Sequence, residues 1–148
     1  NLVVFKSNGY LQGRTMTTAI TGQCHCGRVK WSAELPHKVE LNCHCTMCRS
    51  LSGADYSSWL VIPSKQFTLL SGKEFISEYQ ATDKFSKGFC SKCGSTVHCI
   101  NNEKFPQHVY LAKGNITSKY TKRPDIQVYT QDKAEWLTLD DRIPVYDT

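Results

Sequence analysis

Long apolar runs are missing from this chain. The longest, such as Trp59-Leu60-Val61-Ile62, are strand-sized, and none approaches the roughly 18 residues that a membrane-crossing helix needs. A helical membrane protein is therefore excluded. Blocks of like charge are missing too. Lysine and arginine are scattered along the chain, which leaves nucleic-acid binding without the basic stripe it depends on. No Ser-His-Asp set, glycine-rich phosphate loop or carboxylate pair stands out, so the common routes to triad hydrolysis, nucleotide binding and paired acid–base chemistry lack their residues. Apolar spacing of period 3.6 is scarce, and with it any expectation of a helical bundle.

What is present alternates with a period near two. Val29–Ala33 and Phe75–Tyr79 alternate clearly, and further strands are expected at Val39–Asn42, Tyr56–Ile62, Phe67–Leu70, Lys84–Phe89, Thr96–Ile100, His108–Ala112 and Ile126–Thr130. β-branched and aromatic residues fill these runs, and Pro63-Ser64, Ser71-Gly72, Lys113-Gly114-Asn115 and Arg123-Pro124-Asp125 break them. Many short strands with frequent turns predict an all-β domain of packed sheets. Helical turns are expected only at Thr46–Leu51 and Asp132–Trp136. A length of 148 residues with 40% hydrophobic and 21% charged composition suits one globular domain, placed at 16–148. Asn1–Thr15 contains no cysteine and reads as an extension foreign to that domain, with Met16 as the native start. The competing reading is a genuine strand through Leu2-Val3-Val4-Phe5.

Seven of the eight cysteines fall into three clusters: Cys24 and Cys26; Cys43, Cys45 and Cys48; Cys90 and Cys93. Disulfides are the alternative use of such a count, but Cys-x-Cys neighbours bridge each other poorly, and short loops with paired cysteines suit a tetrahedral Zn²⁺ ion. No basic segment followed by an apolar stretch leads the chain, so a reducing, cytoplasmic setting is expected. The formal net charge of +5 then overstates the basicity. Seven thiolates around two dications would remove three of those charges, leaving +2.

Cys24, Cys26, Cys90 and Cys93 would close one zinc site, with Gly27 and Gly94 ending the turns, and a closed site is structural. Cys43, Cys45 and Cys48 supply three donors, so a second zinc would keep a position for water or a substrate thiol. The alternative is closure by His98 or Cys99, which point to opposite faces of a strand. Arg49, beside this cluster, is a candidate contact for an anionic substrate or a solvated side chain. His25 and His44 are expected to point away from the metal. His37 and His108 read as ordinary surface or core residues. Trp31, Tyr56, Trp59 and Tyr110 could line an apolar pocket for a larger substrate, or simply fill the core.

Gly22-x-Cys24-x-Cys26-Gly27, Cys43-x-Cys45-x-x-Cys48-Arg49 and Phe89-Cys90-x-x-Cys93-Gly94, in that order, resemble the glutathione-dependent formaldehyde-activating enzyme family, which includes centromere protein V. Pro124-Asp125-Ile126, Lys133-Ala134-x-Trp136 and Asp141-x-Ile143-Pro144-x-Tyr146 extend the resemblance to the C-terminal part. It implies the β-tent fold, shared with Rab-binding release factors and methionine-sulfoxide reductases. It also implies two zinc ions, structural at Cys24, Cys26, Cys90 and Cys93 and catalytic at Cys43, Cys45 and Cys48. The implied reaction is a carbon–sulfur lyase step interconverting S-hydroxymethylglutathione with glutathione and formaldehyde. Small thiol and aldehyde would be its partners, with no nucleic acid or membrane. Ser95-Thr96-Val97-His98-Cys99 departs from the family's usual apolar run, which leaves the substrate open. A zinc enzyme of this family acting on another carbonyl or thiol, or a non-catalytic protein-binding zinc module, would carry the same cysteines.

Overall fold

Two antiparallel-rich sheets share one apolar layer. A computed structural model describes residues 19–148; the reading of Asn1–Thr15 as an extension lies outside them. The smaller sheet orders β1 (Ala19–Gln23), β2 (Lys30–Glu34) and β5 (Phe67–Ser71). The larger one runs β10 (Ile126–Val128), β3 (Val39–Cys43), β4 (Ser57–Pro63), β9 (His108–Ala112), β8 (Thr96–Asn101), β7 (Phe85–Cys90) and β6 (Ile76–Gln80). Among the strand pairs of the described residues only β10–β3 is parallel, and an isolated parallel bridge joins Gln127 to Val145. A single α-helix among the described residues, α1 (Thr46–Ser52), follows β3, and no helix is long and apolar enough to cross a membrane.

β4 explains why the large sheet has two working faces. Its Leu60 and Ile62 join Ile20, Trp31 and Ala33 in the layer between the sheets. Trp59 and Val61, the alternate residues, join Leu41, Phe85 and Tyr110 on the far face. A strand covered on both sides reads as a continuous apolar run, as this one does. Burying a side chain the size of Trp31 completely stabilises the fold by about 1.5–3 kcal/mol.

Two elements differ from expectation. β1 carries little apolar signal, yet it pairs with β2 along its length. Gly22 permits this, since a Cβ there would lie 2.2 Å from the Trp31 ring. The helical turn expected at Asp132–Trp136 sits earlier, as a 3₁₀ turn over Thr130–Asp132.

A bulge in β8 decides what each face receives. Phe89 pairs with Thr96 and Gly88 with His98, which leaves Val97 as the extra residue. Val97 consequently faces the layer between the sheets while Cys99, two residues on, faces the opposite side. His98 takes the space a Gly88 side chain would occupy, as a Cβ there would lie 2.3 Å from its ring.

Behind β3, the fully buried Glu40 forms an ion pair with Lys113 Nζ at 2.6 Å and accepts a hydrogen bond from the Tyr120 hydroxyl. A buried carboxylate is tolerated only when paired in this way, and the pairing ties the segment around residues 113–120 to the sheet.

Candidate metal centres

The first centre joins the two sheets. Cys24 and Cys26 lie in the loop between β1 and β2, in the small sheet; Cys90 ends β7 and Cys93 sits in the following turn, in the large one. Their four sulfurs lie within 4.8 Å of one another. Cys24 Sγ is 3.6 Å from Cys26 Sγ, and Cys26 Sγ is 3.8 Å from Cys90 Sγ. An ideal tetrahedron with Zn–S bonds of ~2.3 Å has edges of ~3.8 Å, so the donors fit that ion. All the cysteines are free thiols. Backbone and hydroxyl donors already point at the sulfurs. Val29 N–H donates to Cys24 Sγ at 3.3 Å. Ser95 Oγ lies 3.3 Å from Cys93 Sγ and lowers the Cys93 pKa to about 5. Hydrogen bonds from Arg28 lower Cys26. The shifts at Cys93 and Cys26 favour thiolate, the form that holds a metal, whereas burial raises the Cys90 thiol.

The second centre is built by the end of β3 and the start of α1. Cys45 caps the helix: its sulfur accepts the Cys48 N–H at 3.3 Å, replacing the usual oxygen of an N-cap. Gly53, at φ 68°, closes the other end by donating to Arg49 O. The turn brings Cys43, Cys45 and Cys48 within 4.8 Å of one another, and no fourth Cys, His, Asp or Glu donor among the described residues joins them. Hydrogen bonds from Cys43 and Cys48 pull the Cys45 thiol far down, and the same sharing pushes Cys43 and Cys48 up. A soft dication is the partner that lets all three ionise, so this donor set too fits zinc.

Neighbouring residues sort by face. Cys99 lies in the same apolar cluster as Cys43 and Cys48 but outside the three-sulfur group. His98 points the other way, against Phe67 and Glu78, with Nε2 3.4 Å from the Glu78 carboxylate. Neither is a fourth ligand in this arrangement. His44 is fully buried and turned from the sulfurs, with Nε2 3.3 Å from Gln127 and its ring 5.0 Å from that of Tyr56. Arg49 donates to the Asp132 carbonyl at 2.9 Å and stacks on Trp136. It lines a cleft with Trp136 and Asp55, separate from the sulfurs.

The sulfurs instead open onto a cavity of about 410 Å³. Leu41, Trp59, Phe85, Tyr110, Ile126 and Val128 form much of its wall. Of the four aromatic candidates, Trp59 and Tyr110 are here, whereas Trp31 lies between the sheets and Tyr56 against His44. Burial, then the charges of Cys43 and Cys48, raise the Tyr110 pKa. Phe105, Val128 and Tyr129 were not distinguishable as cavity residues, because they approach from loops and an edge strand whose placement no local pattern reveals.

Comparison with known proteins agrees with this architecture. A protein of Halomonas elongata, assigned as a glutathione-dependent formaldehyde-activating enzyme, is 26% identical over 130 residues, covering 83% of this chain and 82% of its own length. A crystal structure of a Rhodobacter sphaeroides protein shares the fold with a TM-score of 0.59 at 21% identity, covering 68% of this chain and 91% of that one. The family model for the glutathione-dependent formaldehyde-activating enzyme matches residues 19–132, which take in both sulfur centres, and the chain belongs to that family.

Proposed function

We propose that this chain is a zinc-dependent carbon–sulfur lyase that interconverts a thiol–aldehyde adduct with the free thiol and aldehyde. One observation carries the reading: Cys43, Cys45 and Cys48 gather without a fourth protein donor among the described residues, and they do so in the wall of a cavity. The family is named for chemistry on glutathione and formaldehyde, which supports a thiol and an aldehyde as the reactant classes. Cys24, Cys26, Cys90 and Cys93 would hold a structural zinc, and Cys43, Cys45 and Cys48 a second one. Zinc bound at the three sulfurs would supply Lewis acidity and favour the ionised form of a thiol at neutral pH.

The chain's own residues divide the remaining tasks. The Cys48 N–H orients the Cys45 sulfur through the helix cap. Leu41, Ile126 and Val128 keep bulk water from the reacting carbon. Tyr110, with its pKa raised, stays protonated at neutral pH; its phenol can donate a hydrogen bond to the adduct's oxygen and does not act as a base. Arg49 is a positioning residue that anchors α1 to the segment at Asp132. Free thiols throughout suit a reducing, cytoplasmic compartment.

Cys45→Ser tests the assignment. The variant should lose adduct cleavage and one of two zinc ions per chain while keeping its circular-dichroism spectrum and melting cooperatively. Full activity with both metals retained rejects a catalytic three-sulfur centre. A spectroscopic demonstration of four protein ligands at that centre, with no response to added thiol, favours the binding-module reading.

A further inference from the structure

We infer that the cavity over the three sulfurs selects the adduct of an apolar, uncharged aldehyde rather than the formaldehyde–glutathione adduct. This rests on the reading of that centre as the thiol-handling site, and it concerns what else the substrate carries.

Charge is the first argument. Glutathione brings two carboxylates and an ammonium group. Among the described residues, the cavity lining contains no Arg, His, Asp or Glu side chain and one lysine, Lys104. Its ammonium already sits 6.0 Å over the Tyr129 ring. The other nearby cations are committed elsewhere. Arg49 bonds the Asp132 carbonyl outside the cavity. Lys113 and Arg123 line a second cleft that also takes in Asn42, Ser58 and Gln127, the strand neighbours facing away from Cys43. There Lys113 pairs with Glu40, and Arg123 faces Asp140 at 4.0 Å. Charged groups brought against this lining would be desolvated without partners, which is costly.

Size is the second argument. At about 410 Å³ the cavity is more than twice the ~150 Å³ that accommodates a benzene ring in an engineered protein core. One formaldehyde carbon would leave most of this wall to the thiol's own substituent, and in glutathione that substituent carries the charges the lining does not pair. A ring or chain of several carbons would bury against Leu41, Phe85, Ile126 and Val128, strengthening binding about 4-fold for each methylene removed from water.

The chemistry balances without a further reactant. In R–CH(OH)–S–R′ the carbon–sulfur bond breaks with its electron pair going to sulfur. The hydroxyl proton leaves as the C=O bond forms, and a proton returns to the departing sulfur. R–CHO and R′–SH are the products, and R is the group the cavity reads.

The zinc-loaded protein should be assayed by exchange NMR with the heptanal–2-mercaptoethanol adduct and the formaldehyde–glutathione adduct. We expect kcat/KM at least about 10-fold higher for the heptanal adduct, in line with several buried methylenes. Faster turnover of the formaldehyde–glutathione adduct overturns the apolar selectivity and leaves the lyase reading intact. No acceleration with either adduct overturns both. Binding gives a readout independent of turnover: quenching of tryptophan fluorescence should show heptane-1-thiol binding at least about 10-fold more tightly than glutathione, with the reverse order counting against the inference. Ile126→Glu places a carboxylate in the wall and should cut the heptanal-to-formaldehyde ratio at least about 10-fold. An unchanged ratio in a variant that keeps its zinc overturns this wall as the selecting element.

Discussion

The four-sulfur and three-sulfur centres use the same turn chemistry on opposite faces of one sheet, and their surroundings differ completely. Cys24 and Cys90 belong to the filled layer between the sheets, beside Ile20, Val29 and Trp31. Cys43 and Cys48 belong to the far face, where no second sheet lies among the described residues and a cavity remains. The first centre ties a loop of the small sheet to a turn of the large one, so its metal would substitute for core that a loop-rich fold lacks. The second spans a few residues of one strand end and one helix start, and ties little together. Cysteine spacing thus names a metal donor set, whereas what covers the set separates a staple from a reactive site.

The largest expected effect is on the staple. Zinc at a structural centre is worth about 10–16 kcal/mol in small folding units, comparable to the whole stability of a domain at about 5–15 kcal/mol. Cys90→Ser should abolish the cooperative thermal transition, followed by circular dichroism, and strong chelators should do the same to the parent. A variant melting within about 5 °C of the parent would deny this centre its structural role.

Cys45→Ser should draw the opposite pattern. Turnover falls by more than the about 10–100-fold that losing an outer-shell partner costs, while the melting temperature stays close to the parent's. Equal damage to stability by Cys45→Ser and Cys90→Ser would erase the distinction between the centres.

Gly88→Ala probes the bulge that assigns residues to the two faces. Its Cβ would meet the His98 ring, and such overpacking costs about 1–3 kcal/mol. The urea midpoint should drop while metal content stays at the parent's value; an unchanged midpoint would mean that His98 moves aside freely.

Acid should weaken the His98 side of the sheet by a smaller amount. Burial lowers the His98 pKa, partly offset by Glu78. A histidine depressed in the folded state contributes stability above its unfolded value of about 6.5, and that contribution is lost as pH falls from there through the folded value. The parent should therefore lose more unfolding free energy between pH 7 and pH 5 than His98→Gln does, read from urea titrations. Parallel losses would remove His98 from the account.

Arg49→Lys is the mildest change. It exchanges the bond to Asp132 and the stack on Trp136 for weaker contacts, a cost of about 1 kcal/mol or less. The preference between charged and neutral adducts should not move. A collapse of anionic-substrate turnover would instead put Arg49 at the substrate.

Much of the fold was legible in the period-two runs. β2 to β10 lie close to where the strand-sized runs and the turn residues between them were expected, because β-branched and aromatic residues fill those strands and turn formers end them. β1 was not legible, since it carries little apolar signal and its pairing depends on Gly22 admitting the ring of its cross-strand partner Trp31.

The cysteine pairs, their flanking glycines and the three-residue spacing of Cys45 and Cys48 determine by themselves three local groups of sulfur donors, because short turns and one helix cap bring the atoms of each group together. Tertiary structure alone decided the rest. It matched Cys24 and Cys26 with Cys90 and Cys93 from another sheet, turned His98 from the second centre and sent Arg49 to Asp132. It also left a cavity over Cys43, Cys45 and Cys48. These outcomes depend on contacts between residues far apart in the chain, on a bulge that shifts alternation, and on which face of the large sheet the small one covers.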